Sequence, residues 1–445
     1  MFGKFTFWLA GFCLAGIGAS AHAENLMQIY QAAQLTSPDL RGATADNDAA
    51  GEAIKSARSI LLPQLSLSGS SGWTEGAREN TGAHFRASSG TLSLSQTLFN
   101  MSSWQALTLQ EKQADLKKVA YWSTQQSLIL DVAIAYFNLL KAADTLSYTE
   151  AEKQSVGRLL EQTTLKFQAG SLAITDMQNV QAQYDQVLST EVTAQNEVDN
   201  SAEALREVSG LNWNHLAALN TAYFRAHKVS DVKGLLEQAE NSSLRLWSAR
   251  LSREMAKAEI EAAQTGYMPT ISLSASVGIS GSRSRYDDNY GKSISGSNQV
   301  SVSLSVPLYS GGGVSAGVKQ AEYALISASE QEESVHRNIM KSIRSAFNNI
   351  NSAVSSIKAN EQIVKSAQAS LIATQNGYQA GTRTMLDVLD ATTTLFSAQS
   401  SLSAARYDYL LAGLTLKNEQ GKLSIDDLRA CNAFLGKEID IPLSE

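Results

Sequence analysis

Two pairs of short segments in which apolar and polar residues alternate, repeated once along the chain, constrain this sequence more than any other feature. Ile271, Leu273, Ala275, Val277 and Ile279 alternate with Ser272, Ser274, Ser276 and Gly278. Val300, Val302, Leu304, Val306 and Leu308 alternate with Ser301, Ser303, Ser305 and Pro307. The same rhythm begins at Leu65 and Leu67 and returns at Leu92, Leu94, Gln96 and Leu98. A period of two gives a strand one apolar and one polar face. The copies correspond residue by residue. Leu62-Pro63-Gln64-Leu65 answers Met268-Pro269-Thr270-Ile271, and Phe167-Gln168-Ala169-Gly170 answers Tyr378-Gln379-Ala380-Gly381. A period of about 210 residues is too long for a solenoid and marks a duplicated half.

A hairpin sheet on a soluble core would show this alternation, and so would a lipid-facing barrel with a Ser-lined wet interior. Length favours the barrel, whose strands need about 9–11 residues. Aromatic placement agrees. Phe99 and Tyr309 end the descending strands, Trp104 lies just beyond Phe99, and Tyr267 precedes an ascending strand. Aromatic rings gather at membrane interfaces. Four strands cannot close, however, and an open edge in lipid leaves each unpaired backbone group at a cost of several kcal/mol. The smallest barrels have about eight strands, so the chain must pool strands with copies of itself. Two copies or three would both serve. The segments between paired strands, Thr74–Phe85 and Ser282–Ser297, read as polar loops.

The remainder reads as helix. No proline interrupts the stretches from Asn100 to Gln168 and from Gly313 to Gln379. Each is about 65 residues, or about 100 Å at the helical rise. Beyond Gly170 and Gly381 the chain resumes with a seven-residue period: Met177, Val180, Tyr184, Val187, Ala194, Val198 and Leu205, then Val388, Ala391, Leu395, Ala398, Leu402 and Ala405. Such a seam makes an antiparallel coiled-coil hairpin in each half. Shorter helices, about Leu26–Ser59 and Asp231–Gln264, lead into the strands. The fold class is mixed and mostly α, with each duplicated half carrying two strands and one long helix hairpin.

Lys4, an apolar run from Phe5 to Ile17 and the small-x-small triplet Ala21-His22-Ala23 read as a secretory signal peptide over residues 1–23. The first structural repeat then covers 24–225, with strands near 64–73 and 88–99 and helices over 100–168 and 172–209. The second covers 226–425, with strands near 269–281 and 298–309 and helices over 313–379 and 384–420, leaving 426–445 as a C-terminal segment. Loss of Cys13 with the signal leaves Cys431 alone, without an internal disulfide or a cysteine metal site. The net charge of −7 comes from dispersed charges, with no basic stripe for nucleic acid. The histidines have no metal-ligand spacing, no catalytic constellation is evident, and no cofactor is expected.

The order of elements, with Ala173-Ile174-Thr175-Asp176, Ala182-Gln183-Tyr184-Asp185 and the run from Gly381 to Thr394, resembles the TolC family over nearly the whole chain after the signal. The resemblance implies a homotrimer whose strands form a 12-strand barrel in the outer membrane above a periplasmic α-helical barrel. It implies an outer-membrane exit duct for type I protein secretion and multidrug efflux. Its partners would be periplasmic adaptor proteins and inner-membrane ABC, RND or MFS pumps, and it would not be an enzyme. Asp387 and Asp390 are three apart and share a helix face. The resemblance implies that they ring a periplasmic constriction, where stacked carboxylates would hold cations. Thr384-x-x-Asp387 also has the form of a helix cap. The resemblance further implies latching contacts between the hairpins, Tyr378 with Asp176 and Arg383 with Thr175. The rival functions are a general diffusion porin, which needs no long helices, and a structural coiled-coil protein, which needs no apolar strand face.

Overall fold

The structure is a computed structural model that describes residues 25–78, 81–286 and 289–443. The proposed signal peptide with Cys13 lies outside the described residues. The helices and strands run in the order α1 (Leu26–Thr36), α2 (Pro38–Ser59), β1 (Gln64–Arg78), β2 (Thr81–Asn100), α3 (Met101–Gln168), α4 (Ile174–Ser209) and β3 (His215–Leu219). They continue with α5 (Val232–Ser242), α6 (Leu244–Gln264), β4 (Thr270–Tyr286), β5 (Asn289–Ser305), α7 (Gly313–Gln379), α8 (Met385–Glu419), α9 (Ile425–Asn432) and β6 (Leu435–Asp440).

The four long strands form one antiparallel sheet in the order β1-β2-β4-β5, so the halves meet where β2 pairs with β4. Alternation decides the two faces. Leu65, Leu67, Leu92, Leu94, Val277, Val300, Val302 and Leu304 share one face through the pairings Leu67↔Leu92, Leu92↔Val277 and Leu304↔Ile271. That face is bare in the single chain: Leu67 is 81% and Val300 76% exposed. The other face carries serine pairs across the strands, with Oγ–Oγ distances of 2.7 Å for Ser272 and Ser303 and for Ser274 and Ser301.

The segments expected as loops are instead strand. Pairing runs outward to Arg78↔Thr81 in one hairpin and to Tyr286↔Asn289 in the other. Apolar alternation reports only where a sheet face is kept from water, whereas the backbone ladder can continue through Gly and Ser beyond it. At the other end β5 stops at Ser305, short of the expected 309. Pro307 lacks an N–H and cannot extend the ladder.

The helix α3 has 68 residues and α7 has 67, and each folds back as α4 or α8. The coiled-coil seam is buried at Val180, Val187, Ala194, Val198 and Leu205, and at Val388, Leu395, Ala398 and Ala405. Each lead-in helix is broken in two, at Ser37 between α1 and α2 and at Ser243 between α5 and α6. Pro38 accounts for the first break, because it bars the helical region to the residue before it. No proline marks the second, yet the two breaks are tied down alike. Thr36 Oγ1 donates to the Ser209 carbonyl at 2.7 Å, and Ser242 Oγ donates to the Gln420 carbonyl at 2.7 Å. Each lead-in helix is thus fastened to the end of its own returning helix.

The C-terminal segment does not stand apart. β6 pairs with β3, from His215↔Asp440 to Leu219↔Leu435, so it completes a small sheet begun in the first repeat. This waist covers the largest core, where Tyr136, Phe137, Leu139 and Leu140 of α3 meet Tyr407, Leu216, Phe224, Leu428 and Ile441. Tyr136 Oη donates to the buried Ala217 carbonyl at 2.6 Å. A buried group without such a partner would cost about 1–3 kcal/mol.

Candidate functional site

The far ends of the two helix hairpins carry the same turn twice. Gly170 and Gly381 take positive φ of 71° and 74°, as a left-handed helix terminus requires. Ser171 N–H donates to the Lys166 carbonyl at 2.9 Å, and Thr382 N–H donates to the Gly377 carbonyl at 2.8 Å. The Ser171 and Thr382 hydroxyls repeat those contacts at 2.9 and 3.0 Å.

The turns are held together by apolar packing. Val156 of α3 and Val180 of α4 form one buried cluster with Met385, Val388 and Leu389 of α8, and Tyr184 and Tyr378 pack on its rim. A polar chain adds to it: Gln183 Nε2 donates to Thr393 Oγ1 at 3.1 Å, and Thr393 Oγ1 donates to Glu152 Oε1 at 2.8 Å. Three helices from both halves therefore meet at Thr393.

Asp387 sits in the first turn of α8 and closes a capping box. Thr384 N–H donates to its carboxylate at 2.8 Å, the Thr384 hydroxyl at 2.9 Å, and Asp387 N–H donates back to Thr384 Oγ1 at 3.2 Å. The backbone bond from Thr384, then the hydroxyl bond and the charge of Arg383, hold the carboxyl below the usual carboxylate range. A depressed folded-state pKa stabilises the fold above the unfolded carboxylate range and loses that contribution as pH falls through the folded value. The cap is therefore expected to persist through about pH 4 and fail only below it. A carboxyl chemical-shift titration with a midpoint at or above an unperturbed aspartate would contradict this. Asp390, one turn on, is exposed.

The structure does not join the expected latch pairs within one chain. No hydrogen bond links Tyr378 to Asp176 or Arg383 to Thr175 among the described residues. Tyr378 instead has Lys166 Nζ over its ring, 5.1 Å from the centroid. The Arg383 backbone N–H donates to the Gly377 carbonyl at 3.3 Å. Thr175 is exposed, and Asp176 lies half-buried in the first turn of α4.

Phe99, Trp104, Tyr267 and Tyr309 all lie near the junctions of sheet and helix. Phe99 pairs with Ile271 at the end of β2, and Trp104 is in the first turn of α3. Tyr267 precedes β4 and Tyr309 follows β5, and all four are exposed. No described helix is long and apolar enough to cross a membrane.

Sequence reasoning missed a polar cluster where α3 crosses α8. Asp144 accepts from the Ser403 hydroxyl and from Tyr407 Oη, the latter at 3.1 Å. Burial pushes its carboxyl above the usual range, and the two hydroxyl bonds only partly offset that. No local pattern could have signalled it, because its partners lie in the other half. Burial also pushes the Cys431 thiol up to about 11, which leaves it unreactive.

The chain matches the outer membrane efflux protein family twice, over residues 29–211 and 235–421, once per half. It is 49% identical to the outer membrane protein TolC of Escherichia coli K12 over 442 residues, covering 97% of this chain and 89% of TolC. It is 29% identical to the alkaline protease secretion protein AprF of Pseudomonas aeruginosa over 437 residues, covering 95% of this chain and 89% of AprF. Among solved structures it superposes on CusC with a TM-score of 0.75 at 21% identity, covering 90% of this chain and 92% of CusC. A bare four-stranded sheet running into two long helix hairpins is thus a shared architecture, and the chain belongs to the outer membrane efflux protein family, among its TolC-like members.

Proposed function

We propose that this chain is one subunit of an outer-membrane exit duct that serves type I protein secretion and the efflux of small toxic molecules. One observation carries the reading. A sheet with a bare apolar face and open edges leads directly, at Asn100, or through a short connection, over 306–312, into helix hairpins of about 100 Å. The sheet needs lipid and copies of itself, and the helices reach far beyond a membrane. Three copies would close a 12-strand barrel and pool six helix hairpins into a periplasmic cylinder. Inner-membrane ABC, RND or MFS pumps would feed it through periplasmic adaptors, and the duct itself would be passive. Residues 1–23 would direct export and be removed. Aromatic residues at the strand-to-helix level support a membrane boundary there.

The helix turns form the gate in this reading. Asp390 and Asp387 of three subunits make carboxylate rings that attract cations. Asp387 also caps its helix, so Asp390 is the freer of the two. Asp176 and Arg383 lie on the two turns, and their latching role belongs to the assembled ring.

Planar-bilayer conductance of the purified protein is the test. The expected wild-type conductance is small and cation-selective. Asp390→Asn is expected to reduce cation selectivity several-fold without opening the pore. Asp176→Ala with Arg383→Ser is expected to raise conductance several-fold. A large conductance that none of these changes would mean a permanently open pore and would overturn the gated duct.

A further inference from the structure

Beyond its apolar part, the sheet carries a line of cations on the same face. The pairings Trp73↔Arg86, Arg86↔Arg283 and Arg283↔Lys292 set one residue from each strand in a single row. Side chains alternate between the two faces along a strand. Arg86 therefore shares the face of Leu92 and Leu94, Arg283 that of Val277 and Ile279, and Lys292 that of Ile294 and Val300. This is the bare apolar face, on which Ile279 is 64% and Ile294 68% exposed. All four residues of the row are exposed as well. Among the described residues, none of the three cations makes an ion pair.

Two physical arguments bear on the row. The first is charge. Neighbouring strands lie about 4.8 Å apart, so Arg86, Arg283 and Lys292 stand on backbone within about 10 Å of one another. Like charges directly opposite each other destabilise a sheet, and an anion shared among them removes that cost. The second is depth. Phe99 pairs with Ile271 near the helical end of the sheet, and Arg283 lies twelve residues further along β4. Twelve residues of strand span about 40 Å. At the usual tilt of a barrel strand that is about 28–33 Å of membrane depth. The hydrocarbon core of a bilayer is about 30 Å thick. With the aromatic residues at one boundary of the core, the cations reach the other, and Trp73 stands beside them as an interfacial aromatic does.

We propose that Arg86, Arg283 and Lys292, flanked by Trp73, bind the phosphate groups of an outer-leaflet lipid whose acyl chains lie against the apolar face below. The proposal rests on the exit-duct reading, which puts that face in lipid. A soluble anion would answer the charge alone. A phosphate-bearing lipid answers the charge and the apolar surface continuous with it. The sequence hides the row, because Arg283 and Lys292 fall in a segment without apolar alternation and only the strand pairing aligns them with Arg86.

Native mass spectrometry of the full-length purified protein, released from neutral detergent, tests the site with diphosphoryl lipid A as the probe and phosphatidylcholine as the lipid without net charge. A cation at an anionic lipid surface strengthens binding about fivefold. The wild-type oligomer should therefore retain lipid A at least about tenfold better than phosphatidylcholine, and raised salt should weaken that preference. Arg86→Gln, Arg283→Gln and Lys292→Gln together should abolish it. Lys319→Gln, Lys358→Gln and Lys365→Gln remove the same charge from exposed positions on α7 and should leave it intact. Equal retention of the two lipids by the wild type, or a preference unmoved by salt, would overturn the site whatever the variants do. An equal loss in the two triple variants would reduce the effect to net charge and overturn it too. Full displacement of lipid A by inorganic phosphate would assign the row to a soluble anion instead of a lipid. Bilayer conductance separates this failure from that of the duct: a wild type that conducts but shows no lipid preference loses only the lipid site, and one that never conducts overturns the exit-duct reading.

Discussion

Val388→Asp is expected to hold the duct open. Val388 is 3% exposed and shares a buried cluster with Val156 and Val180 of the first hairpin, the cluster that joins the two turns. Separating the hairpins dissolves that cluster and exposes the side chain to water. A carboxylate at this position is therefore buried and unpaired when the turns are packed and solvated when they part. An unpaired buried charge costs about 3–5 kcal/mol. That shifts a two-state equilibrium by more than about 100-fold. Bilayer conductance should rise at least about tenfold, with the oligomer intact. Leu386→Asp is the control, since Leu386 lies on the same turn of α8 but is 55% exposed. Equal conductance in both variants and the wild type would show that apolar packing does not hold the gate.

The second large effect concerns the waist. Gly421→Ala is expected to lower stability by about 3 kcal/mol or more, because strain and collision act together. Gly421 has a φ of 71°, and a Cβ there would lie 2.3 Å from the Ser242 carbonyl oxygen. That backbone is already committed, because Ser242 Oγ binds the Gln420 carbonyl. Gly170→Ala separates the two causes. Its φ is also 71°, but nothing lies within 4 Å of an added Cβ. It should lose only the left-handed penalty of about 1–2 kcal/mol. Helical ellipticity followed through urea unfolding measures both, and an equal loss in the two variants would remove the collision from the account.

Much of this architecture was legible because it is periodic. Alternation at Ile271–Ile279 located a strand, the heptads after Gly170 and Gly381 located returning helices, and the repeat showed that one description served twice. Local chemistry also marked the turn glycines and the Thr384–Asp387 cap. The strand ends were misread for a related reason. Gly and Ser between Ser282 and Ser297 carry no apolar signal, although their backbone continues the ladder. The break at Ser243 was invisible, because no proline marks it and the Gln420 carbonyl that Ser242 meets there lies far along the chain.

The candidate site divides along the same line. The sequence marked Asp387 and Asp390 by spacing, and the resemblance singled out Tyr378, Asp176, Arg383 and Thr175. It was silent on Val156, Val180 and Val388 as one cluster, and on Thr393 as the residue joining Glu152 to Gln183. By itself the sequence determined the periodic elements, the duplication and the need for partner copies, since these follow from which residues face lipid, water or a neighbouring helix. Only the tertiary structure decided how the turns pack, where Asp144 and Thr393 find their partners, and that β6 completes the sheet begun by β3. Those contacts join residues more than two hundred positions apart, and a side chain carries no local record of a partner that only the folded chain brings to it.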